Sequence, residues 1–66
     1  MISYSPLWRT LDEMGLDILD MCNDAGISSV ALRQLNDNKS VELSVICDIC
    51  LALGCNIEDV VEIFPF

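Results

Sequence analysis

Apolar residues recur along this chain at helical spacing, in runs separated by glycine or by polar turns. The first run is Leu7, Leu11 and Met14, flanked by Trp8. It follows Ser5-Pro6, a good helix opening, because a proline at the first helical position gives up no hydrogen bond that the helix needs. Gly15 supplies the stop, so a helix is expected from Ser5 to Met14. A lone tryptophan beside such a stripe is more often core than a binding anchor, and Trp8 is read as core. Ahead of it, Met1 to Tyr4 alternates and tolerates a strand.

The second run puts Ile18, Met21, Cys22 and Ala25 on one stripe at about 100° per residue, with Asp20, Asn23 and Asp24 opposite. Asp17 fits its N-cap, where a carboxylate can accept from free first-turn amides. Gly26 follows the last stripe residue, where a left-handed C-cap needs a residue without a Cβ. Ile27 can plug the turn, and Ser28 is a second N-cap. In the helix that Ser28 opens, Ala31, Leu32 and Leu35 fall on one face, and Ser29, Val30, Arg33 and Gln34 on the other. Two short helices joined by a tight turn, residues 17–38, are therefore the feature around which the rest packs.

Asp37 to Ser40 reads as a polar loop. A fourth helix, about Leu43 to Leu53, is capped by Glu42 or Ser40 and ended by Gly54. One face carries Leu43, Ile46, Cys47, Cys50 and Leu53, and another Val45, Ile49 and Ala52. Only Ser44 and Asp48 remain as clear solvent positions. A helix apolar on most sides is expected to be central, or to turn its second face to a partner subunit. Asn56 is expected to cap a fifth short helix through about Val61. The apolar end, Phe64, Pro65 and Phe66, is expected to fold back beside Ile2 to Tyr4 as a small strand pair and to join a dimer contact.

Composition narrows the function classes. Sixty-six residues make one domain, spanning 1–66, and a chain of this size buries only about 60% of its unfolded surface. The 53% hydrophobic content meets the need for dense packing and leaves apolar surface for a second subunit. No basic segment precedes an apolar stretch, and Leu43 to Leu53 is too short to cross a bilayer, so a soluble cytoplasmic protein without a membrane partner is expected. Cys47 and Cys50 are spaced C-x-x-C with Cys55 beyond, but the pair sits inside a helix and there is no histidine. Cys22, Cys47 and Cys50 lie on apolar stripes, where a free thiol acts as a small hydrophobe, so no metal and no cofactor is expected. The chain has no glycine-rich phosphate loop and no nucleophile elbow. The acidic pairs Asp12-Glu13 and Glu58-Asp59 look like solvated helix faces, so no enzyme is expected.

The order Met21, Cys22, Gly26, Ile27, Ser28, Leu32, Leu35 resembles the helix-turn-helix of the Cro-like and phage-repressor-like, XRE-type regulators. SYSPLW near the start and ICLALGCNIEDVVEI near the end resemble the small single-domain members of that group. The resemblance implies an all-α, compact five-helix domain of the lambda-repressor-like type, with a short terminal strand pair as an option. It also implies a small transcriptional regulator whose third helix lies in the major groove of double-stranded DNA, in a homodimer that sets two such helices about one turn apart. By matching positions, Ser29, Val30 and Gln34 would meet base edges with Arg33 beside them. Val30 suits a thymine methyl and Gln34 an adenine edge. Ser28, Ser29 and the amides of their turn would meet phosphate, and Lys39 supplies charge. Asn38 stands where the family often has glycine, and asparagine tolerates the left-handed conformation. Ile18 stands where many relatives have a phosphate-contacting glutamine.

Charge opens a second reading. With 3 basic and 11 acidic residues the chain carries −8, while DNA binding draws much of its free energy from cations on phosphates. Only Arg9, Arg33 and Lys39 are cationic, and Asp17, Asp20 and Asp24 lie on the helix that would cross the backbone. The same fold with an acidic surface would suit a basic protein partner, making the chain an antagonist or adaptor of a regulator.

Overall fold

The structure is a computed structural model, and it describes residues 1–65. Its elements run β1 (Ile2–Ser3), α1 (Ser5–Met14), α2 (Ile18–Ala25), α3 (Ser29–Asn36), α4 (Leu43–Leu53), a 3₁₀ turn (Ile57–Asp59) and β2 (Glu62–Ile63). The expected bounds of the first four helices hold. The described residues form four α-helices rather than five, because the segment expected to be a fifth closes a single 3₁₀ turn. There the Asn56 side chain accepts from the Asp59 amide while the Asn56 amide donates to Asp59 Oδ2 at 3.1 Å. That reciprocal cap satisfies the free donors within one turn. Val61 then leads directly into β2, whose extended backbone cannot continue a helix.

β1 and β2 pair antiparallel, Ile2 opposite Ile63 and Ser3 opposite Glu62, so the domain is mostly helical with a two-stranded sheet joining its ends. The Phe64 amide extends the pairing by donating to the Met1 carbonyl at 2.8 Å. The expected terminal strand pair is present, but Glu62 and Ile63 form it with Ile2 and Ser3, rather than Phe64 and Pro65 with Ile2 to Tyr4. The Phe66 part of that expectation lies outside the described residues.

The core gathers one stripe from each helix: Leu7 and Leu11 of α1, Met21 and Cys22 of α2, Leu35 of α3, and Ile46, Ile49 and Leu53 of α4. Tyr4 and Val60 close it from the two ends of the chain, and Trp8 packs half-buried against it. α2 packs chiefly on α4, and α1 on the 3₁₀ turn, where the Thr10 hydroxyl donates to the Asp59 carbonyl at 2.7 Å. Met14 is 47% exposed and does not complete the α1 stripe.

On α4 the buried stripe is Ile46, Ile49 and Leu53, so Leu43, assigned from sequence to the core face, stands out at 71% exposed. Cys47 is exposed with it, not a core thiol, and Leu51 is 76% exposed. Leu43, Cys47 and Leu51 recur every four residues and line one outward face. No helix among the described residues is long and apolar enough to cross a membrane.

Candidate nucleic-acid interface

Two caps set the geometry of the helix pair. At Gly26 the backbone turns left-handed, φ 69°, and the Ile27 amide donates back to the Cys22 carbonyl at 2.9 Å. A Cβ-bearing residue is strained at that φ, which is why glycine stands between the two helices. Ser28 then opens α3. Its hydroxyl oxygen accepts from the Ala31 amide at 3.2 Å, satisfying one of the four free donors of the first turn. The remaining first-turn amides are left for solvent or an anion. Asp17 occupies the N-cap position of α2 in extended conformation, but its carboxylate makes no capping hydrogen bond.

α3 is held by Ala31 and Leu35, 6% and 0% exposed, with Leu32 half-buried. The opposite face points outward as its spacing demands. Ser28, Ser29 and Arg33 are exposed and Val30 is 66% exposed. Gln34 is half-buried instead. It lines a groove of about 350 Å³ with Ser28, Val30, Ala31 and the loop before α4, Ser40 to Glu42, and Val45 beyond. Just beyond Gln34 the chain bends back, and the Lys39 amide donates to the Gln34 carbonyl at 2.9 Å. Lys39 is exposed at the far end of α3. The six residues singled out in the sequence, Ser28, Ser29, Val30, Arg33, Gln34 and Lys39, therefore lie along one helix and the loop leaving it.

The charges sort by location. Among the described residues the single ion pair joins Arg9 to Glu62 at 3.7 Å, between two solvent-exposed side chains, and it contributes little in water. Arg33 and Lys39 have no carboxylate partner among the described residues. Arg33 sits in the last turn of α3, where the helix dipole also favours a cation. The only charged side chain lining the α3 groove is Glu42, whereas the cleft between α1 and the 3₁₀ turn brings Glu13, Glu58 and Asp59 around Arg9.

Sequence spacing alone misses the link from Tyr4 to Asn38 and Lys39. Asn38 adopts φ 55°, the left-handed conformation expected of it. Its Oδ1 accepts from the Tyr4 amide at 3.2 Å, and the Tyr4 hydroxyl donates to the Lys39 carbonyl at 2.7 Å. Burial pushes the Tyr4 phenol above its ordinary value, so it stays a donor at neutral pH.

A family model of the Cro/C1-type helix-turn-helix DNA-binding domain matches residues 6–65. The chain belongs to that family. Cro/C1-type domains bind double-stranded DNA. The chain is also similar to the transcriptional regulator VanUg in its form II crystal structure, with a TM-score of 0.93 and 29% identity. That likeness covers 98% of this chain and 87% of the other. No curated protein matches the chain. Within the Cro/C1-type frame the four cysteines are free thiols, Cys22 buried, Cys50 and Cys55 half-buried and Cys47 exposed. Burial raises the thiols of Cys22, Cys50 and Cys55 above their ordinary value. Among the described residues no group of three or more acidic, cysteine or histidine side chains is placed to hold a metal.

Proposed function

We propose that this protein is a small transcriptional regulator that binds duplex DNA with α3 in the major groove. The observation that carries the reading is the pairing of an outward α3 face with two cations, Arg33 and Lys39, that no carboxylate among the described residues neutralises. Ser29, Val30, Arg33 and Gln34 face base edges, and Ser28, Lys39 and the first amides of α3 meet phosphate. Val30 offers an apolar contact to a thymine methyl, and Gln34 an amide to adenine. The outward face of α4, Leu43, Cys47 and Leu51, is the surface for a second copy, which doubles the cations from two to four.

A gel-shift series against mixed duplex tests this reading, with Arg33→Ala and Gln34→Ala as controls. The expected result is retardation that weakens with added salt and with either substitution. The overall −8 favours a second reading, in which the acidic surface holds a basic protein and DNA is not the ligand. No shift at any ionic strength, together with salt-sensitive binding of a defined basic protein, selects that one.

A further inference from the structure

One residue outside the helix-turn-helix ties the chain's beginning to the loop that carries Lys39. Tyr4 follows β1 directly and sits at the N-cap of α1, with its ring buried to 2% exposure. It makes two hydrogen bonds to consecutive loop residues. Its amide donates to Asn38 Oδ1 at 3.2 Å, and its hydroxyl to the Lys39 carbonyl at 2.7 Å. The partners lie 34 and 35 residues away in sequence, so these bonds are tertiary. From the α3 side, the loop is held by two backbone bonds, Asn38 amide to Leu35 carbonyl at 3.3 Å and Lys39 amide to Gln34 carbonyl at 2.9 Å. Lys39 is thus gripped on both sides of its peptide unit while its side chain stays in solvent.

We infer that Tyr4 is a positioning residue for the phosphate contact of Lys39. The inference rests on the DNA-binding reading and adds to it a residue that touches no DNA. A flexible lysine on a free loop must lose backbone freedom as well as side-chain freedom when it meets a phosphate. Here the backbone share is already lost in the free protein, because a buried, rigid ring holds the carbonyl. With only two cations per chain on this face, the placement of each weighs heavily on affinity.

The test is a double-mutant cycle on the full chain, with Tyr4→Phe, Lys39→Ala and their combination, read by duplex binding across a salt series. Tyr4→Phe keeps the ring in the core and removes only the hydroxyl donor. Loss of one hydrogen bond of this kind is expected to weaken binding roughly three- to tenfold and to lower the salt slope toward that of Lys39→Ala. In the Lys39→Ala background the same substitution should have little further effect. An equal loss with and without Lys39 would overturn the inference and make Tyr4 a support of the fold alone. Asn38→Gly keeps the left-handed backbone and deletes the other acceptor, so it provides a second variant if Tyr4→Phe fails to fold. Amide hydrogen exchange of Asn38 and Lys39, read without DNA, should quicken in Tyr4→Phe. If the parent protein binds no duplex while that exchange does quicken, the DNA reading fails and the grip on the loop stands. Unchanged exchange would overturn the grip itself.

Discussion

The salt dependence of duplex binding can be worked from the charges at the α3 face. Each chain offers two cations there, Arg33 and Lys39, and Arg9 is drawn to Glu62. The proposed dimer would therefore neutralise about four phosphates, which gives an expected slope of log affinity against log salt of about −3.6. Raising salt from about 50 to about 200 mM should then weaken binding roughly 150-fold, against roughly 12-fold for a lone chain. Arg33→Ala removes two of the dimer's four contacts and should halve the slope, to about −1.8. Fluorescence anisotropy of a labelled duplex at several salt concentrations measures both numbers. A flat response, or one that Arg33→Ala and Lys39→Ala leave unchanged, would refute the assignment of these side chains to phosphate. A slope much steeper than about −5.4 would refute it too, since the chain has three basic residues in all and a dimer six.

Three other outcomes follow from the same geometry. Ser28→Ala deletes the one side-chain cap of α3, which should cost about 1 kcal/mol and lower the melting temperature by roughly 4–8 °C in a differential scanning experiment. Leu35→Ala opens a void under the helix at a fully buried site and should cost about 2–5 kcal/mol in urea titration, with a proportionate loss of DNA binding. Alkaline pH should destabilise the fold. The raised thiols of Cys22, Cys50 and Cys55 bind protons more tightly folded than unfolded, so their contribution is whole below the ordinary 9.0 and is lost as pH rises through the folded-state values. Tyr4 adds to the loss above its ordinary 10.0. A urea midpoint that stays constant or rises between pH 8 and pH 11 would contradict this.

The four α-helices were readable because each carries its own punctuation. Pro6 opens α1, Ser28 caps α3, and Gly15, Gly26 and Gly54 turn left-handed where three of the helices stop. On α3 the buried pair Ala31 and Leu35 was readable from spacing, and of the outward set Ser29, Val30 and Arg33 are exposed while Gln34 is half-buried. On α4 the pattern gave no phase. Almost every position is apolar, so periodicity could not tell the buried stripe Ile46, Ile49, Leu53 from the exposed one, Leu43, Cys47, Leu51. The last turn failed for another reason: Asn56 and Asp59 cap one another within three residues, and β2 begins before a second turn can form. Tyr4 had no local signal at all. Its partners are set by the fold, which brings β1 against the end of α3.

The conflict between a charge of −8 and a DNA-binding fold is eased, for the distant carboxylates, by how far their field reaches. Glu13, Glu58 and Asp59 crowd Arg9 at the α1 and 3₁₀ end, and among the described residues Glu42 is the one charged side chain lining the groove beside α3. Asp17 at the N-cap of α2, Asp20 and Asp24 within it, and Asp37 at the end of α3 are also exposed, however, and oppose phosphate. The molecule measures 32 × 24 × 17 Å, and at physiological ionic strength the screening length is about 8 Å. Carboxylates on the far side are then largely hidden from a duplex docked on α3, while Arg33 and Lys39 in direct contact are not. At about 0.01 M salt the screening length grows to about 30 Å, and the whole chain's charge reaches the phosphates. Binding should therefore stop strengthening, and then weaken, as salt is lowered below a few tens of millimolar. A regulator with a basic surface is expected to show no such turnover, so its absence here would mean that the distant carboxylates do not act on the bound duplex even when unscreened, and would refute the screening account.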